Sequence, residues 1–309
     1  MNKQFRIAKS IVEFFLASYL KSEKYFYKSL KTYRKNYFSV IHSGSYNMDE
    51  YIDVVQYMLA NTLNKKLSRN ELCVSASFYA FCSKNLSVTN SQFLQDLFVL
   101  FFLNQKKNGY FVEFGACDGI DLSNTLILEQ KLDWMGILAE PDIHFFSNLS
   151  KNRKAHCSNL AVYKNSGISM KFHHVVGDAK LSTFSEFSVS DIHKNSRNNK
   201  EEFDVSTITL NALLDMYNAP DIIDYVSIDT EGSEFEIIES FDFGSRRVLL
   251  WTIEHNHNIA TRKKLLDIMS KHGYKRVLEG FSECDDWFID EHLYEEKVRE
   301  CTKNNFLNA

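Results

Sequence analysis

Four short apolar runs, Tyr110–Phe114, Gly136–Ala139, Tyr225–Ile228 and Val248–Ile253, each break at their C-terminal end into a glycine turn or a carboxylate. Runs of this length fit buried strands, and helix-like patterns separate them: Ser123–Lys131, Ile143–Asn152, Leu210–Tyr217, Glu234–Ser240 and Ala260–His272. The alternation predicts an α/β fold around a mostly parallel sheet. In such a sheet the polar breaks gather along the carboxyl edge, where ligands bind. Two further runs, His156–Val162 and Lys171–Val176, read as strands, and Tyr274–Leu278 with Trp287–Ile289 reads as an antiparallel pair at the edge. The stretch Ser185–Phe203, rich in Asn, Lys and Ser, reads as a mobile loop.

The texture changes at Gly109. Residues 1–108 contain one glycine, Gly44, no proline, and apolar spacings of helical period, so an all-helical region is predicted there, its last helix near Ser91–Asn104. The predicted division is a helical region at 1–90 and an α/β domain at 91–309. Residues 1–40 carry nine basic and two acidic side chains with ten aromatics, leaving a charge of −11 on the rest. An acidic body argues against nucleic-acid binding. The basic arm reads as a helical cap or homodimer contact, or as a peripheral attachment to an anionic membrane face. No apolar run reaches the length of a bilayer span. Six scattered cysteines with no C-x-x-C pair predict reduced thiols in the cytoplasm.

The first strand ends Glu113-Phe114-Gly115-Ala116-Cys117-Asp118-Gly119. A dinucleotide-binding G-x-G-x-x-G needs glycine at 117 and 120, where Cys117 and Ile120 stand. The acid-x-G-x-x-x-G that remains is the pattern associated with S-adenosylmethionine, whose ammonium and sulfonium suit Glu113 and Asp118. Glu140, at the end of the second strand, is placed to accept both ribose hydroxyls of an adenosine, with Pro141 fixing the backbone before the next helix. Three carboxylates, Asp229, Glu231 and Glu234, follow the Tyr225–Ile228 strand and repel one another unless a positive group is near. Glu234 is expected to open a helix; Asp229 and Glu231 are the site candidates, and His255 is expected to share their crevice.

These segments together resemble the FkbM family of S-adenosylmethionine-dependent methyltransferases. The resemblance rests on Phe111 to Gly119, Leu122-Ser123-Asn124-Thr125, Ala139-Glu140-Pro141, Asn159-Leu160-Ala161-Val162, Tyr225 to Glu234, Ile253-Glu254-His255-Asn256 and Asp285-Asp286-Trp287-Phe288. It spans roughly residues 91–290. It implies a Rossmann-like class I methyltransferase sheet with an antiparallel last strand, and it implies donor contacts from Glu113, Gly115, Asp118, Gly119, Ser123, Asn124, Glu140, Pro141, Asn159 and Ala161. Within the family the chain is most similar to enzymes of bacterial surface glycans. This implies O-methylation of a sugar hydroxyl, the terminal sugar of lipopolysaccharide O-antigen (perosamine at its 2-hydroxyl), on a glycan or lipid-linked saccharide.

A sugar hydroxyl must lose its proton during attack, and a positioned base contributes about 10²–10⁴-fold. Asp229 and His255 are the candidate bases, with Glu231 orienting one of them or the substrate. A hard divalent cation such as Mg²⁺ on Asp229, Glu231 and Glu254 is the alternative, ranked below the metal-free base. Two other classes compete: a nucleotide-sugar oxidoreductase or epimerase, which the broken glycine triplet disfavours, and a non-catalytic glycan-binding protein, for which three acidic strand ends would be costly.

Overall fold

A computed structural model describes residues 67–177, 179–188 and 196–303. The chain divides into two compact units, one of residues 88–299 and one of 1–87 with 300–309. In the latter, helix α1 (Arg69–Asn85) opens with a reciprocal cap: Ser68 N donates to the Glu71 carboxylate and Glu71 N donates to Ser68 Oγ. The basic arm at 1–40 lies outside the described residues. Among the described residues no helix is long and apolar enough to cross a membrane.

Within 88–299, α2 (Gln95–Phe102) is buried along its whole length. It is shorter than the predicted Ser91–Asn104. Leu94 is left-handed (φ 68°), and the Asp96 carboxylate collects Thr89 Oγ1, Asn90 N and Ser91 Oγ, folding the preceding residues across the helix start. The strands are β1 (Tyr110–Phe114), β2 (Met135–Ala139), β3 (His156–Ser158), β4 (Ala161–Val162), β5 (Ser169–Val175), β6 (Thr183–Phe184), β7 (Lys200–Ile208), β8 (Ile222–Ile228), β9 (Arg247–Glu254), β10 (Tyr274–Val277) and β11 (Asp285–Asp290). Helices α3 (Leu126–Leu132), α4 (Ile143–Asn152), α5 (Leu210–Met216), α6 (Glu234–Ser240), α7 (Ile259–Lys271) and α8 (Glu291–Lys303) complete the described elements beside short 3₁₀ turns.

Seven strands form the main sheet in the order β10-β11-β9-β8-β1-β2-β3, and β3, β2, β1, β8 and β9 all run parallel. From β1 the chain first builds outward through β2 and β3, then returns to lay β8 and β9 on the other side. The order therefore reverses between β1 and β8, and a crevice opens there at the carboxyl edge. Val112, Ile137, Val226, Trp251 and Ile253, all essentially inaccessible, belong to the core that holds these strands together.

The expected antiparallel pair closes this end of the sheet: β10 is the edge strand, and β11 lies antiparallel between β9 and β10. Trp287, Phe288 and Ile289 are buried on both faces of the sheet, which an edge strand would not achieve, whereas β10 carries Lys275 and Arg276 to the rim. The predicted strand His156–Val162 is two strands in two sheets, since the chain leaves the main sheet at Asn159. A second sheet, in the order β4-β7-β5-β6, absorbs Ala161–Val162 and the expected Lys171–Val176 strand. Its longest member, β7, occupies 200–208, so its first four residues overlap the Ser185–Phe203 stretch that the sequence predicts as a loop. Lys200, Glu201, Glu202 and Asp204 cover its exposed half and mask the alternation of Phe203, Val205 and Thr207.

Candidate active site

The carboxyl ends of five parallel strands set the site residues in one row: Asn159 after β3, Glu140 after β2, Gly115 after β1, Asp229 after β8 and Glu254 closing β9. Gly115 marks the centre. It has φ +69°, and a Cβ there would fall 1.9 Å from the Asp229 carbonyl oxygen. Only glycine lets the β1 turn pass this close to β8.

Glu140 is buried, and each of its oxygens takes one backbone N–H: Oε2 from Cys117 (2.8 Å) and Oε1 from Asp142 (2.8 Å). A second lone pair stays on each oxygen, the arrangement that two adjacent ribose hydroxyls require. Burial pushes its pKa up to about 7, with Asp142 and Asp229 adding to the rise against the two backbone hydrogen bonds. The glycine cradle and this carboxylate fit the donor implied by the sequence.

Glu113 has a different role from the one expected. Its carboxylate faces the β1–α3 loop from below, accepting from Ser123 Oγ (2.9 Å), Asn124 N (2.7 Å) and Thr125 Oγ1 (2.5 Å), with Arg153 at 3.8 Å. The same bonds explain why α3 starts at Leu126 and not at Ser123. Arg153, fully buried, also donates to Gly119 O, Ser123 Oγ and Thr125 Oγ1 and pairs with Glu129. Ser123 thus serves this scaffold, as does Asn124, whose Nδ2 donates to Ser227 Oγ while its buried Oδ1 has no partner among the described residues. Asp118 Oδ1 accepts Ile120 N and Asp121 N and so shapes the turn, with Gly119 at φ +77°. Pro141 is half-buried, Asn159 is exposed at the edge, and Ala161 is buried in the second sheet.

On the other side of the crevice Asp229, Glu231 and Glu254 present oxygens within 4.8 Å of one another. Asp229 and Glu254 share a hydrogen bond, and burial raises both, Glu254 well above the carboxylate range because Asp229, Glu231, Glu234 and Asp285 surround it. One hydrogen on this pair is the physical consequence of two carboxylates meeting in a desolvated place. The chain itself brings a positive charge: Arg197 Nη2 lies 2.8 Å from Glu231 Oε2, and its Nε donates to Leu181 O. Asn256 Nδ2 bridges Glu254 and Glu231. Glu234 opens α6 as expected and folds back to accept Thr230 N, Thr230 Oγ1 and Gly232 N.

His255 does not join this group. Its ring is buried beside Asp286 (3.9 Å), and its Nδ1 accepts His257 N. Consecutive residues at a strand end point to opposite faces, so placing Glu254 with Asp229 turns His255 away. Burial lowers its pKa to about 4, leaving a neutral ring.

A sequence model of the FkbM methyltransferase domain matches residues 113–276, more than half of the chain. The chain belongs to the FkbM methyltransferase family. No curated protein matches the sequence. Among solved structures the methyltransferase domain of METTL16 is similar at 12% identity with a TM-score of 0.35, over 74% of this chain and 83% of that one. Family membership makes this a methyltransferase and implies use of S-adenosylmethionine.

In this FkbM-family chain three residues without an assigned role in the sequence complete the acidic half. Asp285, opposite Glu254 in the β9–β11 register, accepts Gln95 Nε2 (2.9 Å) and is pushed up to about 7 by burial and by Asp229. Arg197 sits in the polar stretch read as a loop, where nothing separates it from a solvated arginine. Asn256 was visible only through the family pattern.

Proposed function

We propose that the protein transfers a methyl group from S-adenosylmethionine to a hydroxyl of a sugar acceptor, a surface glycan such as the terminal sugar of lipopolysaccharide O-antigen. The observation that supports this reading is the division of one sheet edge into two halves. On one side of Gly115 stands Glu140, a diol acceptor; on the other stand Asp229 and Glu254, sharing one hydrogen. When bound, the donor supplies an electrophilic methyl on a positively charged sulfur. Glu140 then orients the donor through its ribose hydroxyls. Asp229, the more open of the pair, takes the acceptor hydroxyl proton as the C–O bond forms and the C–S bond breaks. Glu254 retains the shared hydrogen and holds Asp229 in register, while Arg197 and Asn256 fix Glu231 beside them.

Incubation of the protein with methyl-labelled donor and purified surface glycan tests the reading. One labelled methyl per terminal sugar, found as an O-methyl ether on mass analysis and lost with Asp229→Asn, is the expected result. Label on nitrogen, or tight nicotinamide dinucleotide binding without any response to S-adenosylmethionine, would overturn it.

A further inference from the structure

A second group of metal-ligating side chains lies on the other side of Glu140, apart from the crevice carboxylates. Asp142, His144 and His174 each offer a ligand atom, and these atoms lie within 4.8 Å of one another. Asp142 is wholly buried; its Oδ1 caps α4 by accepting His144 N, and its Oδ2 is 2.6 Å from His174 Nδ1. The His144 and His174 rings stand 4.2 Å apart between centroids. Glu201 of β7 adds a carboxylate oxygen 3.4 Å from His144 Nε2. The four residues come from three elements: the start of α4, β5 and β7.

We propose that Asp142, His144 and His174, with Glu201 closing the set, form a binding site for a borderline divalent ion of the Zn²⁺ type. Two imidazoles with carboxylates are the donor set such ions prefer over Mg²⁺ or Ca²⁺, which take oxygen alone. Tetrahedral Zn²⁺ with bonds of about 2.0–2.1 Å needs donor atoms about 3.4 Å apart, so the group needs adjustments on the order of 1 Å. His144 is half-exposed and Glu201 is exposed, so an ion has a way in. An ion seated there takes the place of the hydrogen now held between Asp142 Oδ2 and His174 Nδ1. That hydrogen moves to Nε2 of a neutral His174 ring, or is released from a charged one. Because Asp142 N also donates to Glu140 Oε1, the ion pins the loop that presents Glu140 and ties the second sheet to it.

The full-length protein, stripped with a chelator and dialysed, is titrated with Zn²⁺ by calorimetry and with Co²⁺ by visible absorption. The expected result is one ion per chain at micromolar affinity or better, with a Co²⁺ spectrum of low-coordinate nitrogen–oxygen ligation and a rise in Tm on loading. His144→Ala and His174→Ala should each weaken binding at least tenfold, while His173→Ala, whose ring pairs with Glu202 instead, should retain it. Circular dichroism of the metal-free variants separates ligand loss from unfolding. No stoichiometric ion, affinity unchanged in both histidine variants, or an ion lost with Glu254→Gln and kept in the histidine variants would overturn the proposal. Binding is read without methyl transfer, so its failure leaves the proposed reaction standing, and the reverse holds too.

Discussion

Burial, with Asp142 and Asp229 adding to it, pushes the Glu140 carboxyl up to about 7 against its two backbone N–H bonds, which makes donor binding pH-dependent. Ribose hydroxyls donate to the ionised form, so the dissociation constant for S-adenosylmethionine should rise about tenfold per unit as pH falls below about 7. Glu140→Gln should weaken binding at least tenfold near pH 8 and flatten the dependence, measured by calorimetry across that range. The same burial acts on folding with the opposite sign. Asp285 and Glu234 have folded pKa values of about 7, above their unfolded values, so the folded state binds more protons between about pH 4 and 7. Their contribution is fully present below that window and is lost as pH rises through it. Asp285→Asn keeps an oxygen for Gln95 and removes the titration; its Tm should exceed that of the parent by a few degrees near pH 8, and the gap should narrow through the window and close only below about pH 4. Gly115→Ala tests geometry instead of charge. With a Cβ 1.9 Å from Asp229 O at a positive φ, the β1 and β8 ends must separate, and a loss of about 3 kcal/mol or more in urea unfolding is expected together with loss of donor binding.

At the scale of elements, the parallel strands and their helices were legible because buried strands are apolar runs and helices carry a helical apolar period. Helix α4 shows this directly: it spans the predicted Ile143–Asn152, and the structure adds Asp142 as its cap and Leu149 as its buried residue. The second sheet was not legible, since β7 is polar along its exposed half and β4 is only Ala161–Val162, too short to carry a pattern. The strand ends located Glu140, Asp229 and Glu254, but the partners that decide roles come from remote chain. Glu113 reads as a ligand until Arg153, Ser123, Asn124 and Thr125 are seen around it, and Glu231 reads as unpaired until Arg197 arrives from beyond β6. Arg153 shows how much rests on such a partner. It joins α4 to the β1–α3 loop with no exposed surface, so Arg153→Met strands Glu113 and Glu129 without their cation. A loss of about 3–5 kcal/mol is expected, and Arg153→Lys should not restore it, because an ammonium cannot reach Gly119 O, Ser123, Thr125 and Glu129 together. Urea denaturation of the three proteins checks both statements.

For the whole molecule, the sign of charge along the chain is the feature the α/β domain does not use. Nine cations and ten aromatics sit in residues 1–40, against a body that carries −11. A soluble acceptor needs no such arm, whereas a lipid-linked saccharide is presented at an anionic membrane surface, where each nearby Lys or Arg contributes about 1 kcal/mol and aromatics settle at the headgroup level. An acidic body would be repelled from the same surface, so the membrane reading we propose rests on the arm alone. Removing residues 1–40 is therefore expected to abolish co-flotation with vesicles containing anionic lipid and to leave methylation of a short soluble saccharide within a few-fold of the parent. Raising salt should release the intact protein from vesicles progressively, because the attraction is screened within about 10 Å at 0.1 M. Flotation that survives the truncation, or that persists undiminished in high salt, would assign the arm to packing within the protein and remove the membrane from its function.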